Sequence, residues 1–148
     1  MYAGMDGYNC FGCAPNNPIG LRLEFFEDGD DVIAEWTPTK NYEGYLNFLH
    51  GGIQATLLDE VAAWVIYAKL KTSGVTTSLD VEYLKPVFLS KGKVRLRANL
   101  LSHEKNIATI NAQIEDADGV VRSRATARYF VYPPKVAQAK FNYPIEQE

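Results

Sequence analysis

Two carboxylates, Asp59 and Glu60, lie side by side within residues 46–70, a stretch that is otherwise almost entirely apolar. Keeping a carboxylate in a poorly solvated place is energetically costly unless the group has a partner. Such a group is a candidate general base or nucleophile, because its surroundings set its reactivity. The alternative for each acid is a place on a solvated helix edge.

Helical geometry separates the two acids. At about 100° per residue, Asp59 falls at the centre of a stripe of small residues, and the large apolar residues cluster on the far side of the helix. A solvated helix face normally carries Lys, Glu, Arg and Gln, so Asp59 is predicted to lie in a groove and to be catalytic. Glu60 lies at the margin and is predicted to be a partly solvated edge carboxylate. The stripe consists of Gly52, Ala55, Thr56, Ala62, Ala63 and Ile66.

The beginning of the same helix carries His50, Gly51 and Gly52. The first N–H groups of a helix lack internal partners and lie at the positive end of the helix dipole. They could polarise a carbonyl oxygen as an oxyanion hole does, and glycine lets a ligand approach the backbone closely. An ordinary glycine-containing helix start is the alternative. His50 could fix the loop by a hydrogen bond or contact a substrate.

The spacing of these groups has a consequence for assembly. Gly51 and Asp59 are eight residues apart, which is about 12 Å along a helix axis. One carbonyl group cannot contact both within a single helix. If both act in one site, they come from different subunits, and two helices packed antiparallel across a two-fold axis could bring them together. The sequence therefore predicts a homo-oligomer, either a dimer or a tetramer.

Two cysteines, Cys10 and Cys13, have Cys-x-x-Cys spacing. A tetrahedral zinc site needs four ligands, and the other soft ligands in the chain are His50 and His103. We therefore expect no metal and favour a packed N-terminal turn, with a redox pair as the alternative.

Arginines alternate along two late segments and form a basic stripe. They could bind the phosphates of a nucleotide-containing ligand, but cross-strand pairing with Asp80 and Glu82 is the favoured interpretation. The stripe consists of Arg95, Arg97, Arg122, Arg124 and Arg128.

The elements that must position these residues are read from hydrophobic periodicity. A helix is predicted from Gly51 to Lys71, with Gly74 as its terminator. Residues 1–19 are predicted to be irregular and 133–148 to form a polar tail. Alternating segments predict strands, whose short connections favour an antiparallel sheet, and Tyr129 is placed in the core. The predicted strands are 20–27, 32–37, 75–89, 92–104, 107–119 and 120–132. We predict an α+β fold, one domain over 1–148, in which a curved sheet wraps one central helix.

Composition excludes several classes of protein. The 148 residues are 47% hydrophobic, which suits a folded domain, and the net charge of −3 favours neither nucleic acid nor an anionic membrane as partner. No apolar run is long enough for a membrane span, and the N-terminus has no secretory pattern. With so few cysteines, a cytoplasmic protein with reduced thiols is expected.

The span "HGGIQATLLDEVAAW" resembles the motif of hotdog-fold acyl-CoA thioesterases of the phenylacetate-pathway type. In that family His-Gly-Gly opens the central helix and an acid follows nine residues after the His, which here is Asp59. The segments "CFGCAPNNPIGLRLEF" and "TTSLDVEYLKPV" also resemble this superfamily. The resemblance extends from Cys10 to Tyr132 and implies the hotdog fold.

The resemblance implies hydrolysis of an acyl-CoA thioester to free acid and coenzyme A, with no cofactor apart from the coenzyme A of the substrate. Gly51 N–H would polarise the thioester carbonyl, and Asp59 of the partner chain would act as nucleophile or general base. His50 is the third candidate catalytic residue, and Gly52 a candidate substrate contact.

Relatives often carry a hydroxyl at position 76 or 77 that orients the water or the acid. Here both residues are Thr, and Thr76 is favoured; strand alternation predicts that it faces away from Leu79. Some relatives have an Asn six residues before the His, where this chain has Gly44, and Asn47 is the candidate replacement. Other branches have a hydroxyl four residues after the acid, where this chain has Ala63.

Two other functions fit the same fold, because fold alone does not decide function. A non-catalytic acyl-CoA-binding module is the main alternative. A hydratase or dehydratase would need a His paired with an acid, and the sequence shows no such pair.

Overall fold

The structure is a computed structural model that describes residues 7–141 and residue 143. Two short strands precede a long helix, and four longer strands and a short helix follow it. The elements are β1 (Phe26–Asp28), β2 (Asp31–Trp36), α1 (Gly51–Lys69), β3 (Gly74–Tyr83), β4 (Val94–Glu104), β5 (Ile107–Glu115), β6 (Val121–Val131) and α2 (Pro134–Phe141). Single 3-10 turns lie at Lys40–Tyr42 and Leu89–Lys91.

The six strands form one antiparallel sheet in the order β1-β2-β4-β5-β6-β3. Strand β3 pairs with β6 and not with β2 or β4, its neighbours in the sequence. It therefore lies at one edge of the sheet. The predicted antiparallel sheet is confirmed, and β4, β5 and β6 each lie within their predicted segments. Strand β3 begins one residue before its predicted segment 75–89 and ends at Tyr83, well short of the predicted end.

Helix α1 packs on the concave face of this sheet. Its buried side chains meet inward-facing residues of the strands, among them Leu96, Ile110 and Ile114, which are fully buried. The hydrophobic effect at this interface holds helix and sheet together. The predicted α+β class, with a sheet wrapped around one long helix, is confirmed. The buried apolar helix residues are Leu57, Leu58, Val61, Ala62, Val65 and Ile66.

The end of α1 differs from the prediction. The helix stops at Lys69, and the chain reverses through Lys71, whose φ of +55° lies in the left-handed region. Gly74, the predicted terminator, is instead the first residue of β3. A Cβ at Gly74 would lie 2.8 Å from the Phe130 carbonyl oxygen, so its glycine serves close strand pairing.

The first predicted strand is wrong for most of its length. Leu21 and Leu23 are buried as expected, but their N–H groups donate to the carbonyls of Phe11 and Gly12, at 2.8 and 2.9 Å. The alternation therefore reports burial beneath the irregular N-terminal segment, and sheet pairing begins at Phe26. The described part of that segment, residues 7–19, is irregular as predicted.

The tail also differs from the prediction, since residues Pro134–Phe141 form α2. Tyr143 follows it, buried, and its hydroxyl donates to the Tyr67 carbonyl at 2.9 Å. None of the helices formed by the described residues combines the length and apolar character needed to cross a membrane.

Candidate active site

His50 caps the beginning of α1. Its Nδ1 accepts a hydrogen bond from the Gly52 N–H at 2.9 Å, and the imidazole is exposed. A Cβ at position 52 would lie 3.0 Å from the ring, so Gly52 leaves room for the capping histidine. Of the two roles considered for His50, fixing the helix start is the one seen in this structure.

Gly51 is the first helical residue. Its carbonyl accepts a 2.7 Å hydrogen bond from the Tyr83 hydroxyl on β3, which anchors the turn to the sheet. Among the described residues none accepts a hydrogen bond from the Gly51 N–H. A donor at the positive end of a helix dipole is thus available to an incoming oxygen atom.

An open cleft of about 590 Å³ lies beside this helix start. Its floor includes Gln54, which is only 5% exposed and whose Nε2 donates to the Leu49 carbonyl. The Gln54 Oε1 is buried and has no partner among the described residues. The cleft is otherwise mostly apolar and aromatic, with Tyr45, Phe48, Tyr83, Pro86 and Val87 in its wall.

Asp59 is half-buried, and one oxygen of its carboxylate is fixed by two hydroxyl groups. Asp59 Oδ1 accepts from Thr76 Oγ1 at 2.9 Å and from the Tyr129 hydroxyl at 2.6 Å. The same Tyr129 hydroxyl also lies 2.8 Å from the Asp59 carbonyl oxygen. No described residue donates a hydrogen bond to Oδ2, so this oxygen is available for proton transfer or attack.

Tyr129 holds this arrangement from below the helix. Its ring is 1% exposed, and burial followed by the charge of Asp59 raises the pKa of its phenol well above the usual value. The phenol therefore stays protonated and serves as a donor to Asp59.

Thr76 reaches Asp59 because β3 contains a bulge. The register shifts between Thr76 and Ser78, and this turns Thr76 to the same face as Leu79. The prediction that Thr76 and Leu79 face opposite ways is wrong, because it assumed an unbroken alternation. The hydroxyl of Thr77, inside the bulge, donates to the Arg128 carbonyl at 3.1 Å and does not bond to Asp59.

The side chain of Asn47, the candidate substrate contact, bonds to a neighbouring loop in this structure. The φ of Asn47 is +66°. Its Nδ2 donates to Ser90 Oγ at 3.0 Å, and its Oδ1 accepts from the Ser90 backbone N–H at 2.9 Å. Asn47 thus joins two loops. Gly44 lies against His50. A Cβ atom at position 44 would be 3.3 Å from the His50 Cα atom.

Glu60 is half-buried, in agreement with the predicted partly solvated position, but its carboxyl group packs against Gly12 instead of lying at an open helix edge. It lies beneath the N-terminal segment, with Oε2 3.9 Å from Cys10 Sγ. Burial, followed by the charges of Cys10 and Asp59, raises the pKa of Glu60 to about 8. The helical wheel could not anticipate this cover, because it comes from irregular residues with no periodicity.

The predicted residues fall into two groups within one chain. His50, Gly51 and Gly52 lie at the start of α1, and Asp59 with Thr76 lies two turns further along. They are about 12 Å apart along the helix axis.

The profile of the thioesterase superfamily matches residues 46–123 of this chain. The chain belongs to the thioesterase superfamily. The match includes both groups of predicted residues but ends before Tyr129.

Solved structures of other thioesterase superfamily proteins share the architecture, and the hotdog fold predicted from the sequence is confirmed. One such protein is 27% identical, with a TM-score of 0.75, and the aligned region covers 82% of this chain and 62% of that one. A hypothetical thioesterase of Streptococcus pneumoniae TIGR4, crystallised with coenzyme A, is 21% identical with a TM-score of 0.69. The alignment covers 76% of this chain and 90% of that protein.

A curated relative extends the comparison at the sequence level. An uncharacterised protein of Schizosaccharomyces pombe is 34% identical over 65 residues, which make up 43% of this chain. This chain spans only 37% of the length of that relative.

Tyr129 and Tyr83 were missed as site residues in this superfamily member. Strand alternation places Tyr129 on the inner face, and a buried tyrosine hydroxyl usually needs a hydrogen-bond partner. This requirement could have pointed to Asp59, because Asp59 is an acid on the helix that packs against the inner face of the sheet.

The basic stripe is largely neutralised by cross-strand ion pairs. Arg124 pairs with Glu82 at 3.0 Å, as predicted, while Arg97 pairs with Asp31 at 2.7 Å and Arg122 with Asp116 at 2.7 Å. Arg95 pairs with Glu35 at 2.8 Å. Cross-strand pairing is confirmed for three of the arginines, with partners mostly different from those predicted. The partner of Arg122 lies in the turn after β5. Arg128 has no ion pair among the described residues.

Proposed function

We propose that the protein hydrolyses acyl-CoA thioesters to the free acid and coenzyme A. The observation that carries this proposal is the half-buried Asp59 carboxylate, held at Oδ1 by Thr76 and Tyr129 with Oδ2 left open. Orientation of a reactive group by fixed donors is a main source of rate enhancement.

The reaction requires a carbon–oxygen bond to replace the carbon–sulfur bond of the thioester. As general base, Asp59 accepts a proton from water while the water oxygen attacks the carbonyl carbon, and the proton then passes to the departing thiolate. As nucleophile, Asp59 Oδ2 attacks the carbon, the thiolate leaves with a proton from solvent, and water hydrolyses the resulting anhydride. Both roles use the same open oxygen.

Gly51 would supply the electrophilic half of the site. Its N–H is available at the positive end of α1 and can donate to the thioester oxygen as negative charge develops. The adjoining cleft, with its aromatic wall, offers a place for the acyl group.

Completion of this site by a second copy of the chain is part of the proposal. Strand β3 lies at the sheet edge, and most of its ten residues are exposed, including Val75 and Tyr83. A long exposed edge is a surface that native proteins usually cover. Strand β3 also runs beside α1 from Gly51 to Asp59, so a copy docked there would lie next to both groups.

Similar structures with bound coenzyme A or acetyl CoA support coenzyme A esters as the substrates. The Streptococcus pneumoniae protein was crystallised with coenzyme A, and the Streptococcus mutans protein smu.793 with acetyl CoA. The latter is 18% identical, with a TM-score of 0.68, and the alignment covers 76% of this chain and 90% of that one.

The test is a panel of acyl-CoA esters assayed by chromatographic detection of free coenzyme A. We expect Asp59→Asn to lower turnover by about 10³-fold or more while acyl-CoA binding measured by calorimetry is retained. Asp30→Asn, an exposed acid in the turn between β1 and β2, is the matched control and should keep full activity.

Two outcomes would count against the proposal. Undiminished turnover by Asp59→Asn would remove Asp59 from the chemistry. Tight binding of acyl-CoA by the unmodified protein, without release of coenzyme A from any ester, would make it a binding module.

A further inference from the structure

A cluster of potential metal ligands lies where the N-terminal segment crosses α1. The sulfur atoms of Cys10 and Cys13 and a carboxylate oxygen of Glu60 all lie within 4.8 Å of one another. Both cysteines are free thiols and half-buried, and the Tyr8 hydroxyl lies 2.6 Å from Cys13 Sγ. This cluster lies on a different face of α1 from the Asp59 carboxylate, which faces Thr76 and Tyr129.

The backbone between the two cysteines is shaped for this approach. Gly12 packs directly against the Glu60 side chain, and a Cβ at position 12 would overlap its carboxyl group. The turn is held by hydrogen bonds from Ala14 N to the Cys10 carbonyl and from Leu23 N to the Gly12 carbonyl, both 2.9 Å. The three donor atoms are thus brought together by ordered, well-anchored backbone.

The carboxyl group of the cluster has no ion-pair partner among the described residues. Glu60 forms no salt bridge with a described lysine, arginine or histidine. Two thiol groups and this carboxyl group, all half-buried, converge on one point, where a metal ion could be bound by all three.

We propose that Cys10, Cys13 and Glu60 bind one Zn²⁺ ion that fastens the N-terminal segment to α1. Two thiolate sulfurs and one carboxylate oxygen are ligands that zinc accepts, and the Cys-x-x-Cys spacing supplies two ligands from one turn. A water molecule completes four-fold coordination, since an adjoining cavity of about 200 Å³ is lined by Tyr8, Cys10, Cys13 and Glu60. Binding releases the thiol protons to solvent.

The expectation of no metal rested on cysteine and histidine as the further ligands. His50 and His103 lie elsewhere, one at the start of α1 and the other on β4. The third ligand is instead Glu60, which is 50 residues from Cys10 in the chain. A disulfide between the cysteines would not account for the position of Glu60 beside them, nor for the glycine at position 12 that lets Glu60 come so close.

The direct test is zinc binding by the whole chain, reduced, stripped of metal and without an affinity tag. Competition with a chromophoric chelator should give one tightly bound Zn²⁺ per chain, and Co²⁺ should give the sulfur-to-metal charge-transfer absorption of a tetrahedral thiolate site. Cys13→Ser should abolish tight binding. Glu60→Gln should weaken it by about tenfold or more, because loss of even an indirect partner of a metal ligand has an effect of this size.

The matched control is His103→Gln, which removes an exposed potential ligand and should leave the affinity and stoichiometry unchanged. One Zn²⁺ retained at full affinity by Cys13→Ser, or lost in His103→Gln, would overturn the proposal. So would failure of the unmodified protein to bind Zn²⁺.

A second measurement does not depend on the folding of any variant. Zn²⁺ should slow alkylation of Cys10 and Cys13 in the unmodified protein by about tenfold or more, because a coordinated thiolate is no longer free to attack. Equal alkylation rates with and without Zn²⁺ would overturn the proposal. Ready formation of a Cys10–Cys13 disulfide in glutathione buffer in the presence of Zn²⁺ would assign the pair to redox chemistry instead.

Discussion

The hydroxyl of Tyr129 couples β6, the strand next to the edge strand β3, to the candidate catalytic acid. It comes from β6, reaches both Asp59 Oδ1 and the Asp59 carbonyl, and lies in a place that water does not reach. Thr76 supplies the second donor from β3. Together these hydroxyls fix one carboxylate oxygen, and the other receives no hydrogen bond from a described residue.

Tyr129→Phe should lower kcat by about tenfold and leave KM nearly unchanged. A hydrogen bond to a charged group is worth about 1.5–3 kcal/mol, and here it orients the reacting carboxylate rather than the substrate. Steady-state kinetics on the best ester of the panel measure both constants.

The control for Tyr129→Phe is Tyr132→Phe, just beyond β6, whose hydroxyl has no described part in the site. An unchanged kcat in Tyr129→Phe would show that Thr76 alone orients Asp59. A rise in KM without a fall in kcat would place Tyr129 in substrate binding instead.

At this scale the sequence could predict residues whose roles follow from helix phase. Asp59 is half-buried and not on an open solvated face, as its small neighbours indicated, and Gly51 lies at the helix start. The roles of Tyr129 and Glu60 depend on segments far away in the chain, β6 and the N-terminal turn. Thr76 was placed on the wrong face, because a bulge leaves no mark in the alternation of residue types.

Among the elements, the turn between β5 and β6 is built around one buried acid. Asp116 is 6% exposed, and its Oδ1 accepts from the N–H groups of Asp118 and Val120 at 2.9 and 3.0 Å. Its Oδ2 accepts from Arg122 Nε at 2.7 Å. Burial alone would raise the pKa of Asp116, but the N–H groups and the Arg122 guanidinium hold it below its usual range.

Asp116→Asn should therefore lower the free energy of unfolding by about 2 kcal/mol near neutral pH. Because the folded-state pKa of Asp116 is depressed, the stability it contributes is present above the unfolded-state pKa of about 4. It is lost as the pH falls through the lower folded-state pKa. The difference between the two proteins should thus shrink below about pH 4 in urea titrations at a series of pH values.

Asp118→Asn, an exposed acid in the same turn, is the control and should change stability by less than about 0.5 kcal/mol at every pH. A difference for Asp116→Asn that stays constant into the acid range would contradict the depressed pKa. In that case its effect would come from the hydrogen bond that an amide NH2 group cannot accept rather than from charge.

Element positions were predicted well wherever the period of the chain matched a single environment. The four late strands and α1 each have one face on the core, so their periodicity was legible. Leu21 and Leu23 are equally buried but lie under irregular backbone, and α2 is short and mostly polar. Periodicity reports which residues are covered, and it does not report what covers them.

For the whole molecule, the proposed function requires two chains, because Gly51 and Asp59 are too far apart on one helix to act on the same carbonyl group. Gly51→Pro should inactivate the protein by removing the N–H while keeping the helix, because proline is favoured at the first helical position and His50 has the extended ψ of 133° that precedes it well. Asp59→Asn should inactivate it independently. Mixing the two variants after reversible unfolding should restore about a quarter of the normal activity, since half of the dimers then hold one intact site.

Gly51→Ala, which keeps the N–H, is the matched control and should retain activity. No recovery on mixing, with mixed dimers demonstrated by mass spectrometry, would show that each site lies within one chain. Light scattering that finds only monomers in the active protein would lead to the same conclusion.

Strand β3 is synthesised well before β6, the strand with which it pairs. A ribosome adds about 5–20 residues per second, so the growing chain carries α1 and an unpartnered β3 for several seconds. Until Tyr129 emerges, Asp59 has only Thr76 beside it. A version of this protein split into two fragments must therefore keep α1, β3 and β6 on the same fragment. Only then can that fragment form both hydrogen bonds to Asp59 by itself.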